Sequence, residues 1–195
     1  MKFAAIGCVG LLLIVGVVVM IGVGGYNRLV FLDEGVDSAW GQVENVYQRR
    51  ADLIPNLVAT VKGSAEFEQE TLTAVVEARA KVGQVNFESA PDAAQMQQFQ
   101  QAQDGLSSAL SRLLVVVERY PDIKSTEAFR DLQVQLEGTE NRIAVERHRF
   151  NEVARDFNTA RRTFPTVVIA NFFGFAPKAY FEAVEGAEAP PVVEF

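Results

Sequence analysis

The chain predicts an all-α fold, an antiparallel up-and-down helical bundle behind an N-terminal transmembrane helix. Three observations lead there. Phe3 to Gly25 carries no charged residue. From Tyr26 onward apolar residues recur at helical spacing, with Trp40, Tyr47, Ile54 and Val61 one heptad apart. Phe129, Leu136, Ile143, Phe150, Phe157 and Phe164 then repeat the heptad as a bundle or coiled-coil seam.

The 195 residues are 49% hydrophobic and 22% charged, with a net charge of −7. As a helix, residues 3–25 reach roughly 34 Å, enough to cross a hydrocarbon core of about 30 Å. A cleaved signal peptide usually has a shorter apolar region and a small-residue cleavage site, and GVGGYN matches that poorly. AAIGC before Cys8 suggests a lipoprotein, but the apolar stretch follows the cysteine instead of preceding it. Cys8 therefore reads as an inert membrane-helix residue, and residues 3–25 as an uncleaved, single-pass anchor in membrane lipid. Lys2 precedes the span, whereas Asp33, Glu34 and Asp37 soon follow Arg28. That balance places the N-terminus inside and the domain outside. A single cysteine excludes an intramolecular disulfide. Beyond the span 17 basic residues stand against 25 acidic ones, which excludes a general nucleic-acid or anionic-lipid footprint.

Val36, Val43 and Leu57 flank the first heptad, and Leu72, Val75, Val76 and Val82 continue its stripe. GQVNFESAPDAA at 83–94 reads as a loop. A second helix is expected from about Asp92 to Tyr120, with Met96, Phe99, Leu106, Leu110, Leu113 and Val117 on its apolar face. Pro121 makes YPDIKS a turn, from which Ser125 can cap the third helix. Leu132, Val153 and Ala160 are that helix's partner positions, interrupted by Thr139 and Glu146, and Pro165 ends it. TVVIANFFGF is too short to span a bilayer and should pack on the bundle, on a neighbouring subunit or into the membrane interface. The chain thus divides into an anchor (1–25), a bundle domain (26–175) and an extended tail (176–195).

Pro55 poses the main architectural question. Inside a helix it should cost about 3 kcal/mol. A continuous helix from Tyr26 to Val82 would run about 85 Å, and the second helix only about 43 Å. The second would then return no lower than Arg50–Pro55. Val36, Trp40, Val43 and Tyr47 would lack partners within one chain. One solution breaks the chain at Asp52, an N-cap with Pro55 in the tolerant first turn, giving four helices. The other keeps three long helices, with a kink at Pro55. The heptad running through Ile54 favours the kink. The unpaired stripe, with Phe172, Phe173 and Phe175, then becomes a self-association surface, and the chain a homo-oligomer.

Chemistry-bearing residues are sparse. One histidine and one cysteine cannot supply an H-E-x-x-H zinc site, and a nucleophile pair has little material. No catalytic, cofactor or metal residue is expected, and His148 reads as a solvated surface residue. Arg50 and Glu146 fall on seam positions, where a structural ion pair could set helix register. Solvated charges at the bundle edge are the alternative.

The blocks YNRLV, AWGQVE, RRADLIPNLVATVKG, YPDIKS, TENRIAVERHRFN and FNTARRTFP with FFGF, closed by PPVVEF, resemble the LemA family. KSTEAF stands where the family more often has KANxNF, and Phe67 where a histidine is common. The resemblance implies a bacterial envelope protein of the plasma (inner) membrane that is not an enzyme, with MamQ-type relatives linked to magnetosome membrane biogenesis. The unpaired stripe Val36, Trp40, Val43 and Tyr47, with the apolar FFGF segment, points to a self-associating scaffold that organises or shapes membrane. An adaptor or regulator of a membrane-bound metalloprotease or TPM-domain protein is the alternative. No catalytic residues come with the family, and Asp52-Leu-Ile-Pro-Asn56 and Thr139-Glu-Asn-Arg142 look architectural.

Overall fold

α1 runs unbroken from Lys2 to Lys62, straight through Pro55. At 1.5 Å per residue it is about 90 Å long, so the apolar span and the first bundle helix are one rod. The computed structural model describes residues 2–63, 67–85, 87 and 89–182, with side chains from Gly10 onward. Among these, five further helices follow: α2 (Gln69–Val82), α3 (Ala93–Val117), the single turn α4 (Pro121–Lys124), α5 (Glu127–Arg162) and α6 (Thr166–Phe173). Residues 183–195, including Pro190 and Pro191 of the expected tail, lie outside the described residues.

The architecture is the up-and-down bundle the periodicity predicts, but its bends fall elsewhere. The first helix does not reach Val82. It stops at Lys62–Gly63, a basic last turn followed by glycine, which is the usual signature of a helix end. Asp52 caps nothing and accepts a 2.8 Å hydrogen bond from Gln48 one turn back. α2 therefore descends beside the upper part of α1, and the described residues between it and α3 lie further down. The Ala90 N–H donates to Asp37 Oδ1 at 2.9 Å. α3 then starts level with Trp40 and climbs past Arg50. Asp92 caps it through a reciprocal capping box with Gln95. α5 is capped by Thr126, not Ser125, whose hydroxyl instead donates to the Asp122 carbonyl. It runs down antiparallel to α1, placing Glu140 beside Arg50 and Phe150 beside Trp40, ten residues apart on each helix.

Two apolar clusters fill the bundle. The upper one packs Ile54, Leu57 and Val61 of α1 against Leu72 and Val75 of α2, Leu106 and Leu113 of α3, and Phe129 and Leu136 of α5. The lower one packs Val36, Trp40, Val43 and Tyr47 against Met96 and Phe99 of α3 and Ile143, Phe150 and Phe157 of α5. The stripe expected to self-associate is thus core. Trp40 is 1% exposed and Val36 and Val43 are fully covered within one chain. Once the bend moves to Gly63, α3 reaches low enough to cover them. Phe164 leaves the seam, because α5 ends two residues earlier, and is 79% exposed. Val76 likewise turns outward.

Candidate functional site

Three constructions in the bundle use polar side chains in ways that apolar packing alone does not require. The first answers Pro55. A proline at position 55 has no N–H to give the carbonyl four residues back, which belongs to Ala51. Ala51 is buried, so that carbonyl would be left without a donor. Arg79 of α2 supplies one, its Nε–H donating to the Ala51 oxygen at 2.9 Å. The helix stays whole because a neighbouring helix repairs the missing bond.

The second is Arg50, 1% exposed and lying between the two apolar clusters. Its Nη1 donates to Glu140 Oε1 at 2.7 Å and Ser107 Oγ at 2.9 Å, and its Nη2 to Gln103 Oε1 at 2.5 Å. The guanidinium carbon sits 5.0 Å from the Tyr47 ring centre. One side chain thereby ties α1, α3 and α5 at a single level. The expected pairing of Arg50 with Glu146 is not made. The antiparallel register brings Glu140 level with Arg50, and Glu146 lies nearly two turns further along α5. Its Oε2 is buried without a hydrogen bond. Burial raises the Tyr47 phenol above its ordinary range, with the charges of Arg147 and Arg50 opposing.

The third is a strap. Residues 175–182 are extended and run back up the lower half. Asn158 holds Lys178 from both sides, Nδ2 donating to its carbonyl and Oδ1 accepting its N–H, each at 2.9 Å. Asn151 holds Phe181 in the same way, at 2.9 and 2.8 Å. The spacing is geometric. Seven residues of helix rise about 10.5 Å, and three residues of extended chain cover about 10 Å, so two asparagines a heptad apart match two backbone units three apart. Arg161 Nε adds a bond to the Phe175 carbonyl at 2.6 Å. Lys178 Nζ pairs with Asp33 at 2.6 Å, which ties the strap to α1. Phe181 closes the lower core, 5% exposed, with ring centres 5.5 Å from Phe150 and 6.1 Å from Trp40.

Beside the strap, burial raises the Glu44 carboxyl above its ordinary range, and the Trp40 indole and Phe87 backbone N–H offset this in part. The indole contact is too poor in geometry to count as a hydrogen bond, so Trp40 Nε1 is left without one. His148 is exposed and lies 3.7 Å from Glu152.

Sequence reasoning missed Arg79, Asn151, Asn158 and Phe181, and placed Glu140 in an architectural block without pairing it to Arg50. Asn151 and Asn158 carried a signal, each directly following a seam phenylalanine one heptad apart. Of the residues assigned to self-association, Phe172 and Phe173 are exposed, and Phe175 is half-buried against the lower cluster.

Arg50, Ala51, Pro55, Glu140, Asn151, Asn158 and Arg161 of these constructions lie in the blocks RRADLIPN, TENR, RFN and FNTARR. The LemA family profile matches residues 39–195. The chain belongs to the LemA family. Magnetosome protein MamQ 2 of Paramagnetospirillum magneticum is 26% identical over 184 residues, covering 85% of this chain and 67% of that protein. Magnetosome protein MamQ of Magnetospirillum gryphiswaldense is 25% identical with the same coverage. Protein LemA of Metamycoplasma hominis is 23% identical over 174 residues, covering 89% of this chain and 76% of its own. Among the described residues one helix is long and apolar enough to cross a bilayer and is uncovered along its apolar stretch, and together with these relatives it indicates a membrane-associated helical protein.

Proposed function

We propose that this LemA-family chain is a membrane-anchored scaffold of the bacterial inner membrane, which self-associates in the bilayer to organise or shape it. The observation that supports this is the unbroken α1. A helix that begins in the apolar span and ends inside the upper core passes any tilt of the anchor directly to the bundle, with no flexible joint. The similarity to magnetosome proteins is in keeping with an envelope-membrane role. The bundle stands on the extracytoplasmic side. With the lower stripe buried, self-association runs through the anchor or the foot of the bundle.

The test is to reconstitute the full chain in vesicles and measure subunit number by photobleaching, alongside vesicle shape by cryo-electron microscopy. Oligomers that remodel or cluster vesicles are expected. A flexible Gly-Ser insertion after Tyr26 should abolish the remodelling without melting the bundle. A strict monomer that leaves vesicles unchanged, recovered from cells with one stoichiometric membrane protease or other envelope partner, would replace the scaffold with the adaptor reading.

A further inference from the structure

α6 carries no charge, and the whole stretch from Thr163 to Pro177 is uncharged between Arg162 and Lys178. Six of the eight α6 residues are apolar, with Thr166 buried and Asn171 exposed, and a helix so apolar needs cover over most of its surface. Only one side of α6 has it, where Thr166 and Ala170 are buried against α1 and α5. The other side presents Val168 at 61% exposure, Phe172 at 82% and Phe173 at 57%, with Phe164 at 79% just before the helix.

The height of this face identifies what covers it. α6 docks where the charge-free span ends. Ile169 packs so closely on Gly25 that a Cβ there would lie 2.4 Å from its Cδ1, and Phe173 meets Tyr26 in a tilted contact at 4.7 Å between ring centres. The apolar surface of α6 is therefore continuous with the uncovered residues of the anchor, Val23 among them. Exposed Arg28 follows Gly25 by three residues on α1, and exposed Arg162 ends α5 four residues before α6, the kind of position cations take at phosphate level. Gly174, at φ +76°, ends the helix in the left-handed conformation and turns the chain up into the strap, away from that level.

We propose that α6 is a membrane-interface foot, lying in the headgroup and upper acyl region with Phe164, Val168, Phe172 and Phe173 in lipid. This rests on residues 3–25 being the membrane anchor. Clamped to Gly25 and Tyr26 on one side and to the end of α5 on the other, the foot fixes the height and tilt of the bundle above the bilayer.

The test uses the full chain in a Cys8→Ser background, with Phe172→Cys or Val168→Cys carrying a nitroxide, in phosphatidylcholine–phosphatidylglycerol vesicles. Val115→Cys on the exposed face of α3 serves as the aqueous reference. Power saturation should show positions 172 and 168 open to oxygen and closed to a water-soluble nickel chelate, with the opposite result at 115. Nickel access at 172 equal to that at 115 overturns the proposal. So does protection at 172 that vanishes when labelled chain is diluted with unlabelled chain at constant lipid, because a second copy is then the cover. Flotation with the vesicles is scored separately. A chain that does not float loses the anchor, and the foot with it, whereas a floating chain with an aqueous label loses the foot alone. Melting of each labelled chain must match that of the parent.

Discussion

The upper and lower halves of the bundle solve the same packing problem with different material. Above Arg50, four helices surround a mostly aliphatic core, and α2 is the fourth wall. Below it α2 has ended, and a loop and an extended strap take its place around an aromatic core. A helix brings its own hydrogen bonds to the wall it forms. A strap has none, so its backbone must be satisfied from outside, and Asn151, Asn158 and Arg161 do that. The upper half is held mainly by burial. The lower half needs burial and a set of specific polar bonds, which makes it the half most open to disruption.

The largest effects should come from the aromatic core. Trp40→Ala and Phe150→Ala each empty a site in the lower cluster and should cost about 3–5 kcal/mol, a large share of a domain's typical ~5–15 kcal/mol. Thermal melts of the anchored chain measure this, and both losses should be independent of protein concentration. A Trp40→Ala chain that melts normally but dissociates would return Trp40 to an interface. Hydrogen exchange sharpens the comparison. Phe181→Ala should speed exchange around α3's first turns and the middle of α5, while the amides of Leu57 and Leu113 keep their protection. Uniform loosening of both halves would mean that they are one cooperative unit.

The next effect sits where the halves meet. Arg79→Ala leaves the Ala51 carbonyl buried without a donor and should cost about 1–3 kcal/mol. Pro55→Ala returns the missing N–H, so in that background Arg79→Ala should cost little. A double-mutant cycle reads out the coupling. Equal costs in both backgrounds would show that Arg79 matters for some reason other than the proline. The clamp follows in size. Asn151→Ala removes two hydrogen bonds and Asn158→Ala three, the third to the Tyr180 hydroxyl, of about 1 kcal/mol apiece and partly recovered by water as the strap loosens. The Phe181 and Lys178 amides should exchange fast in the respective variants. Continued protection would mean that Phe181 alone seats the strap.

The halves also differ in how far the sequence discloses them. Heptads name the core of both, since Trp40, Tyr47, Ile54 and Val61 are all buried, as are Phe129 to Phe157. The helix end at Lys62–Gly63 was written in the chain but hidden, because Leu72 and Val75 continue the helical period beyond it. Missing that bend left Trp40 without a partner and turned core into interface. Arg50 was legible as a buried cation, yet its partner depends on the level of α5, and charge alone cannot choose between Glu140 and Glu146. Arg79 and the asparagines bond to backbone, which has no letter in the sequence, so no pairing of residue types could find them. A strap has no period, and its docking shows only once the helix beside it is in place.

The smallest effect tests whether the lower half carries a polar group that its fold tolerates instead of uses. Burial raises the Glu44 carboxyl in the folded chain above its ordinary 4.5. A folded state with the higher value binds its proton more tightly, so Glu44's contribution is most favourable below pH 4.5 and declines as pH rises through the raised value. At neutral pH the carboxylate is therefore a net burden, though a small one, since Glu44 keeps contact with solvent. Glu44→Gln should raise neutral-pH stability slightly, and the gain should vanish below pH 4.5. Melting both chains across this range gives the sign directly. A glutamine variant less stable at neutral pH would reverse the argument. The carboxylate would then accept a true hydrogen bond from the Trp40 indole, and the lower half would hold a polar tie within its aromatic core.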